Sequence, residues 1–221
     1  PDKGNEDGSF IEIAEKSILW FRIRTVGKQT HGSLPNKGLN AHRVGMQVAL
    51  TLDKMLHEKY SLKDDNFDVP ESTFEPTKKD KNVDAVNIIP GEDIIHFDCR
   101  ILPSYDIEEI LKDIKQLAAE YEKKTGAKIE IEPLHKSVAP KPTDPDSEIV
   151  LAMKEAIRNV QGKEPKTGGI GGGTCAAFFR KINIPAVVWS TIDEIAHQPN
   201  EYSKIENMTN DAKILASLML S

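Results

Sequence analysis

The sequence lacks the features that typify nucleic-acid-binding, membrane-spanning and disulfide-stabilised proteins. Its 29 basic residues are scattered among 35 acidic ones in a chain of 221 residues with a net charge of −6, and no basic block stands out. No apolar run approaches the ~18 residues that a membrane span needs. The two cysteines, Cys99 and Cys175, match no metal or redox spacing. We therefore expect no nucleic-acid partner, no membrane partner and a reduced, cytoplasmic setting.

Several catalytic and cofactor signatures are also missing. The sequence contains no HExxH pair, no nucleophile elbow and no Walker loop. The glycine-rich segment "GGIGGGTCAAFF" (168–179) is a poor dinucleotide fingerprint, because Thr174 stands where the last glycine belongs. Two interpretations remain for it, namely a ligand-binding loop that opens a helix and a tightly packed turn.

The first part of the chain has the hydrophobic pattern of alternating strands and helices. In chain order the pattern predicts a strand at 17–28, a helix capped by Asn40 and running to about His57, strands at 85–92 and 94–102, a helix at 106–124 and a strand at 127–132. Residues 61–84 are predicted to be mostly loop, with a short strand near "TFEPT". The order βαββαβ predicts a ferredoxin-like domain, whose antiparallel sheet has both helices on one face.

The last third of the chain predicts a different module. A proline-rich segment, "PLHKSVAPKPTDP", marks a boundary. After it we predict a helix at 146–161, the glycine-rich loop, a short helix near 175–182, a buried strand "PAVVW" and a final helix from about Asn207. These elements suggest one end of an α/β layered domain, with too few strands to close a sheet. The predicted fold class is thus α+β, with a ferredoxin-like domain and an incomplete α/β portion.

Three polar residues are candidates for function, and each has an ordinary alternative. His197 lies among acidic residues in "STIDEIAHQPNEY", where a lone histidine is usually just solvated, and as a metal ligand it would need donors from elsewhere. His31 follows a strand and precedes Gly32, so it is either a presented imidazole or a plain turn residue. Arg100 lies on a strand face two residues after Asp98, with which it could simply pair.

Five motifs occur in a fixed order along the chain. They are "GKQTHGSLPNKGLNA", "VNIIPGE", "HFDCRILPSYD", "GGIGGGTCAAFF" and "AHQPNEY". Together they resemble the M20 family of zinc-dependent amidohydrolases, which includes acetylornithine deacetylase, succinyl-diaminopimelate desuccinylase, aminoacylase and carboxypeptidase members. The resemblance implies that residues 17–135 form a lid or dimerisation domain. It assigns residues 1–16 and 136–221 to the end of an N-terminal segment and to the C-terminal part of a catalytic domain.

The resemblance also implies roles for individual residues. Asp2 and His197 resemble ligands of a centre that holds two zinc ions in the intact active site. His31 resembles the lid histidine that donates to the tetrahedral oxyanion, often in the active site of the partner subunit. The residues that resemble substrate-binding positions are Asn87, Arg100, Gly172, Gly173 and Thr174.

One departure from the family pattern limits what this chain can do. No His-x-Asp motif and no paired catalytic glutamates match the family's upstream metal site. We therefore expect the back portion of an amidohydrolase for N-acyl amino acids or small peptides, inactive alone, without tightly bound zinc, and dimeric through its lid. The alternative is a non-catalytic ferredoxin-like interaction module, since a fold does not fix a function. Nucleotide binding by the glycine loop is a third, less favoured alternative.

Overall fold

The computed structural model describes residues 3–193, 195 and 198–220. Within them the elements are β1 Phe10–Glu15, β2 Ser17–Val26, β3 Thr30–His31, α1 Ala41–Lys59, β4 Thr73–Lys79, β5 Ile88–Ile89, β6 Glu92–Ile101, α2 Ile107–Thr125, β7 Lys128–Ser137, α3 Glu148–Gln161, β8 Lys166–Ile170, α4 Ala176–Lys181 and α5 Ile205–Leu220. The chain divides into unit 1, made of residues up to 16, 65–70 and 139 onwards, and unit 2, made of 17–64 and 71–138. No described helix combines the length and apolar character needed to cross a membrane.

Unit 2 is built on a four-stranded antiparallel sheet in the order β4-β6-β2-β7. The chain runs β2-α1-β4-β6-α2-β7, which is the ferredoxin-like order, and the predicted mixed α/β class is confirmed. Side chains along β2 and β6 alternate between buried and exposed positions, so one face of the sheet is apolar. Both helices cover that face. The largest buried side chains of this core are Leu19, Phe21, Ile23, Leu52, Leu56, Phe74, Phe97, Ile101, Ile110 and Ile114.

Both helices of unit 2 begin at a capping side chain, and the cap of α1 is the Asn40 that the sequence predicts. The Asn40 side chain accepts a hydrogen bond from the Arg43 N–H at 3.0 Å and caps α1. Asp106 caps α2 in the same way, through the Glu108 N–H at 2.8 Å. Gly126 ends α2 in the left-handed conformation, with φ of 76°.

The second strand of the sheet was predicted in the wrong place. The sheet uses β4, which is the short strand predicted near "TFEPT". Within "AVNIIPGE", Ile88–Ile89 pairs with Thr30–His31 instead, and Glu92 begins β6. Phe74 is the one buried side chain of β4, so this edge strand has no alternation to detect. Pro76 also interrupts its pattern, as is typical of edge strands.

The extent of β7 was underestimated. It continues through Pro133 to Ser137, into the segment predicted to cross between modules. A register shift makes this possible, because Trp20 pairs with His135 and Phe21 with Pro133, which leaves Leu134 as the extra residue of a bulge.

In unit 1 the central pairing is between β1 and β8, which are parallel. β1 was not predicted. The first residues of the predicted glycine loop, 168–170, belong to strand β8. The predicted buried strand "PAVVW" is wrong, since its residues are half-buried or exposed and only Val188 forms a bridge, to Glu12 of β1. The strand pattern failed here because unit 1 uses short backbone ladders in place of long alternating strands.

A buried cluster of charges lies at the centre of unit 1. Arg180 of α4 donates to both oxygens of the Glu12 carboxylate, at 2.7 and 3.0 Å, and its Nη1 lies 3.8 Å from Glu15 Oε1. All three side chains are at most 4% exposed. Burial raises the pKa of Glu12 to about 7, because desolvation outweighs the attraction of Arg180 and the nearby Glu15 charge adds repulsion. Two buried carboxyl groups thus depend on one guanidinium.

This cluster makes the stability of unit 1 depend on pH. Since the pKa of Glu12 rises from 4.5 to about 7 on folding, its stabilising contribution is complete below pH 4.5 and is lost as pH rises through 7. In the wild-type protein the free energy of unfolding should fall by at most about 3 kcal/mol between pH 5 and 8. We expect Glu12→Gln to abolish this fall. Urea unfolding of both proteins, followed by Trp189 fluorescence in a Trp20→Phe background, measures this difference. Parallel pH dependences of the two proteins would contradict it.

A third buried carboxylate, Asp93 of β6, lies beneath α1 in unit 2. Its Oδ1 forms an ion pair with Lys79, lies 3.2 Å from His42 Nδ1 and accepts a hydrogen bond from Asn82 Nδ2 at 2.7 Å. Gly45 of α1 passes directly over it, where an added Cβ would lie 2.7 Å from Asp93 Oδ2. The glycine therefore allows the helix to approach the carboxylate.

We expect Gly45→Ala to destabilise unit 2 by about 1–3 kcal/mol, the usual cost of overpacking, although alanine favours helices. Chemical denaturation monitored by circular dichroism measures the change. Asp93→Ala provides the control, because the same glycine substitution should cost much less once the carboxylate is absent. A Gly45→Ala protein as stable as wild type would refute the contact.

Candidate functional site

Two of the predicted site residues, His31 and Asn87, lie side by side in unit 2. β3 and β5 pair through Thr30 with Ile89 and His31 with Ile88. The next residue, Gly32, donates its N–H to the Asn87 carbonyl at 2.6 Å. A Cβ at Gly32 would lie 3.0 Å from that carbonyl oxygen, so the close approach favours glycine. Segments separated by more than 50 residues in the sequence thus form one edge of a site.

His31 is held in a defined turn and its imidazole is exposed. The Leu34 N–H donates to the His31 carbonyl at 2.9 Å and closes the turn. The ring nitrogen Nδ1 lies 3.2 Å from the backbone nitrogen of Ser33 and 2.8 Å from the Ser33 hydroxyl. Among the described residues, no hydrogen-bond partner faces Nε2. The imidazole therefore has one nitrogen engaged by its own turn and the other directed away from it.

The loop that precedes Asn87 is anchored at its other end by side chains. Asn82 reaches the buried Asp93, and Asp80 accepts a hydrogen bond from His96 at 3.2 Å. Hydrogen bonds from His96 and Lys78 hold the pKa of Asp80 below its usual value. These contacts restrain the segment between β4 and β5, so the Asn87 carbonyl is a fixed partner for the His31 turn.

Arg100 lies at the other end of β6. Its guanidinium donates to both oxygens of Asp98, at 2.6 and 2.8 Å, so the ion pair that the sequence left open is formed. Gly91 is at the His31 end of this strand, where its carbonyl accepts from Gly27 N–H. Arg100 lies nine positions of extended chain beyond Gly91, a distance of roughly 30 Å. Unit 2 thus brings His31 and Asn87 together but not Arg100.

The glycine-rich segment in unit 1 has two distinct parts. A Cβ at Gly168 would lie 2.7 Å from the Phe10 ring, and one at Gly169 would lie 2.5 Å from the Phe67 ring, so both glycines serve close packing. Gly171 has nothing within 4 Å of such a Cβ, and Gly172 meets only the Ile170 side chain at 3.7 Å. Tight packing therefore accounts for the first half of the segment. The second half has an open backbone, and ligand binding there stays a prediction.

Thr174 ends the open part and is buried. Its N–H donates to Glu15 Oε1 at 2.8 Å, and its hydroxyl bonds to the same oxygen. Glu15 therefore fixes the point where the glycine loop joins α4, a role that sequence analysis missed. The available signal was the pair of acidic residues within the otherwise apolar "FIEIAE", since carboxylates in a buried strand need partners.

The two predicted metal ligands, Asp2 and His197, lie outside the described residues. Among the residues that are described, no three His, Cys, Asp or Glu side chains are grouped so as to hold a metal ion. Asp193, just before His197 in the sequence, accepts hydrogen bonds from Lys204 at 2.8 Å and Tyr202 at 2.7 Å, which keep its pKa below the usual value. Its carboxylate thus ties Asp193 to the residues just before α5.

Comparison with known proteins identifies the family. Residues 13–126 match the model of the peptidase dimerisation domain of M20 enzymes. An uncharacterised metallohydrolase of Methanococcus maripaludis is 40% identical over 99% of this chain and 56% of its own length. A succinyl-diaminopimelate desuccinylase of Sulfurovum sp. is 29% identical over 91% of this chain and 52% of its own length.

Solved structures share the fold of this chain. The aminopeptidase PepT of Bacillus cereus superposes with a TM-score of 0.76 at 21% identity, over 98% of this chain and 54% of that enzyme. The chain spans about half the length of the curated relatives that it matches. The match to the domain model covers more than half of this chain, and the βαββαβ order of unit 2 agrees with it. The chain therefore belongs to the M20 peptidase family.

Proposed function

We propose that this chain is the lid-bearing portion of a zinc-dependent hydrolase that cleaves the amide bond of N-acyl amino acids or small peptides. The observation that carries the proposal is the His31 turn, whose backbone is bonded to Asn87 at Gly32 while its imidazole is exposed. Membership of a family with metallohydrolase relatives supports the reaction class.

Individual residues of the chain have the following proposed roles. Asp2 and His197 are proposed as ligands, and a bound metal would lower the pKa of a water molecule and polarise the substrate carbonyl. His31 donates a hydrogen bond to the oxygen that gains negative charge as water attacks. Asn87 borders the same position. The open backbone at Gly172 and Gly173 lies against the substrate, and the joint at Thr174 is fixed by Glu15. The chain alone is proposed to be inactive and cytoplasmic.

Arg100 is suited to a substrate carboxylate, because its planar guanidinium offers paired donors. It lies roughly 30 Å along β6 from the His31 turn, farther than an N-acyl amino acid extends. Within unit 2 of one protomer, Arg100 and His31 are therefore too far apart to contact the same small substrate. We propose a homodimer in which each active site combines Arg100 of one protomer with His31 and Asn87 of its partner.

The test of the function is a hydrolysis assay on the full-length gene product. The panel contains N-acetyl and N-succinyl amino acids and dipeptides, each assayed with added zinc and with a chelator. Metal-dependent release of free amine from at least one class supports the proposal. A product that binds tightly to another protein and hydrolyses none of these substrates would favour the non-catalytic interaction module.

We expect His31→Ala to lower kcat of this hydrolase by about 100- to 1000-fold, or ~3–4 kcal/mol, as for other lost oxyanion donors. KM should stay within a few-fold, because the donor acts mainly on the transition state. His57→Ala, on the exposed face at the end of α1, is the matched control and should retain activity. The oxyanion role is wrong if the His31 variant keeps more than about a tenth of wild-type kcat, a loss under ~1.4 kcal/mol.

The shared active site predicts complementation between two inactive variants. Homodimers of His31→Ala and of Arg100→Ala should both be nearly inactive, whereas a co-refolded equimolar mixture should regain about a quarter of wild-type activity. This fraction follows because half of the dimers are mixed and each has one intact site of two. A double variant mixed with either single variant should stay inactive. If a mixture shown by sedimentation to be dimeric regains no activity, His31 and Arg100 do not share one active site across the dimer.

A further inference from the structure

The turn that carries His31 contains a backbone donor directed at the imidazole. Ser33 N–H donates to His31 Nδ1, with 3.2 Å between the two nitrogens. A backbone N–H can only donate, whereas a neutral imidazole has one donor and one acceptor nitrogen. The acceptor must therefore be Nδ1, which leaves the ring proton on Nε2.

The Ser33 hydroxyl adapts to this arrangement and does not determine it. It lies 2.8 Å from Nδ1, and a hydroxyl rotates to donate or to accept as required. The backbone N–H has no such freedom, since its direction is fixed by the turn. Gly32 N–H bonded to the Asn87 carbonyl and Leu34 N–H bonded to the His31 carbonyl hold that turn from both sides.

We propose that the backbone N–H of Ser33 fixes neutral His31 in the Nε2–H tautomer, which makes Ser33 a positioning residue for the exposed donor nitrogen. The tautomer itself follows from the turn, but its importance for catalysis rests on the proposed function. A donor whose proton already lies on the outward nitrogen needs no proton rearrangement before the oxyanion forms. The His31–Leu34 turn thus favours the tautomer that can donate a hydrogen bond to the oxyanion.

The chain contains a histidine of the opposite kind. His57 Nδ1 lies 2.8 Å from the Asp53 carbonyl oxygen. A carbonyl oxygen can only accept, so neutral His57 must carry its proton on Nδ1. The two rings should therefore show opposite tautomers in one protein under one set of conditions, and His57 serves as an internal control.

The experiment is nuclear magnetic resonance on this chain with ¹⁵N-labelled histidine rings and backbone, at a pH where the rings are neutral. His31→Gln and His57→Gln assign the two sets of ring signals. We expect His31 to favour the Nε2–H form by at least about fivefold, the ratio given by a net hydrogen bond of about 1 kcal/mol. His57 should favour the Nδ1–H form. A scalar coupling between the Ser33 amide nitrogen and His31 Nδ1 should report the N–H···N bond directly.

Ser33→Ala separates the two donors, because alanine keeps the N–H and removes the hydroxyl. The tautomer and the coupling should both persist in this variant. The inference is overturned if wild-type His31 carries its proton on Nδ1, if the coupling is absent, or if Ser33→Ala abolishes the preference. Hydrolysis that survives His31→Ala while the tautomer is as expected would refute the proposed function and leave this inference intact.

Discussion

Unit 2 depends on β2, which is paired along its whole length with β6 on one side and β7 on the other. Its inward side chains are fully buried, so both helices must lie on that face to keep the apolar surface from water. This constraint fixes the starting points of the segments that follow the strand. The His31 turn comes directly after β2, and the Asn87 segment directly precedes β6, so the pairing of the two strands brings the two segments together.

The site at this end of the sheet is made mainly by backbone groups. Gly32 meets the Asn87 carbonyl, and Gly27 meets the Gly91 carbonyl. Backbone contacts of this kind are rigid because each peptide plane is fixed by its neighbours. An imidazole presented on such a frame needs little reorganisation to meet a developing charge, which is how preorganised donors contribute to catalysis. The His31 side chain can thus be exposed to solvent while the backbone that carries it is held firmly.

Unit 1 uses a different means of positioning. Its glycine loop is flanked by packed glycines on one side and by Thr174 on the other, where the buried Glu15 carboxylate accepts two hydrogen bonds. Buried ion pairs contribute little to net stability, since desolvation offsets their attraction. They do penalise any arrangement that leaves a charge unpaired. The cluster of Glu12, Glu15 and Arg180 therefore favours one geometry for the joint between the loop and α4.

Sequence alone determined the features that depend on local chemistry and on long periodic patterns. The Asn40 cap of α1, the long strands β2 and β6, the helix α2 and the ferredoxin-like order follow from residue type and spacing. Only the tertiary structure decided which short segments pair. β4 has one buried residue and β5 has two residues in all, so neither has a detectable period. The partners of Glu12 and Glu15 come from residues more than 150 positions away in the chain. Such contacts are set by how the elements pack, and no local pattern encodes them.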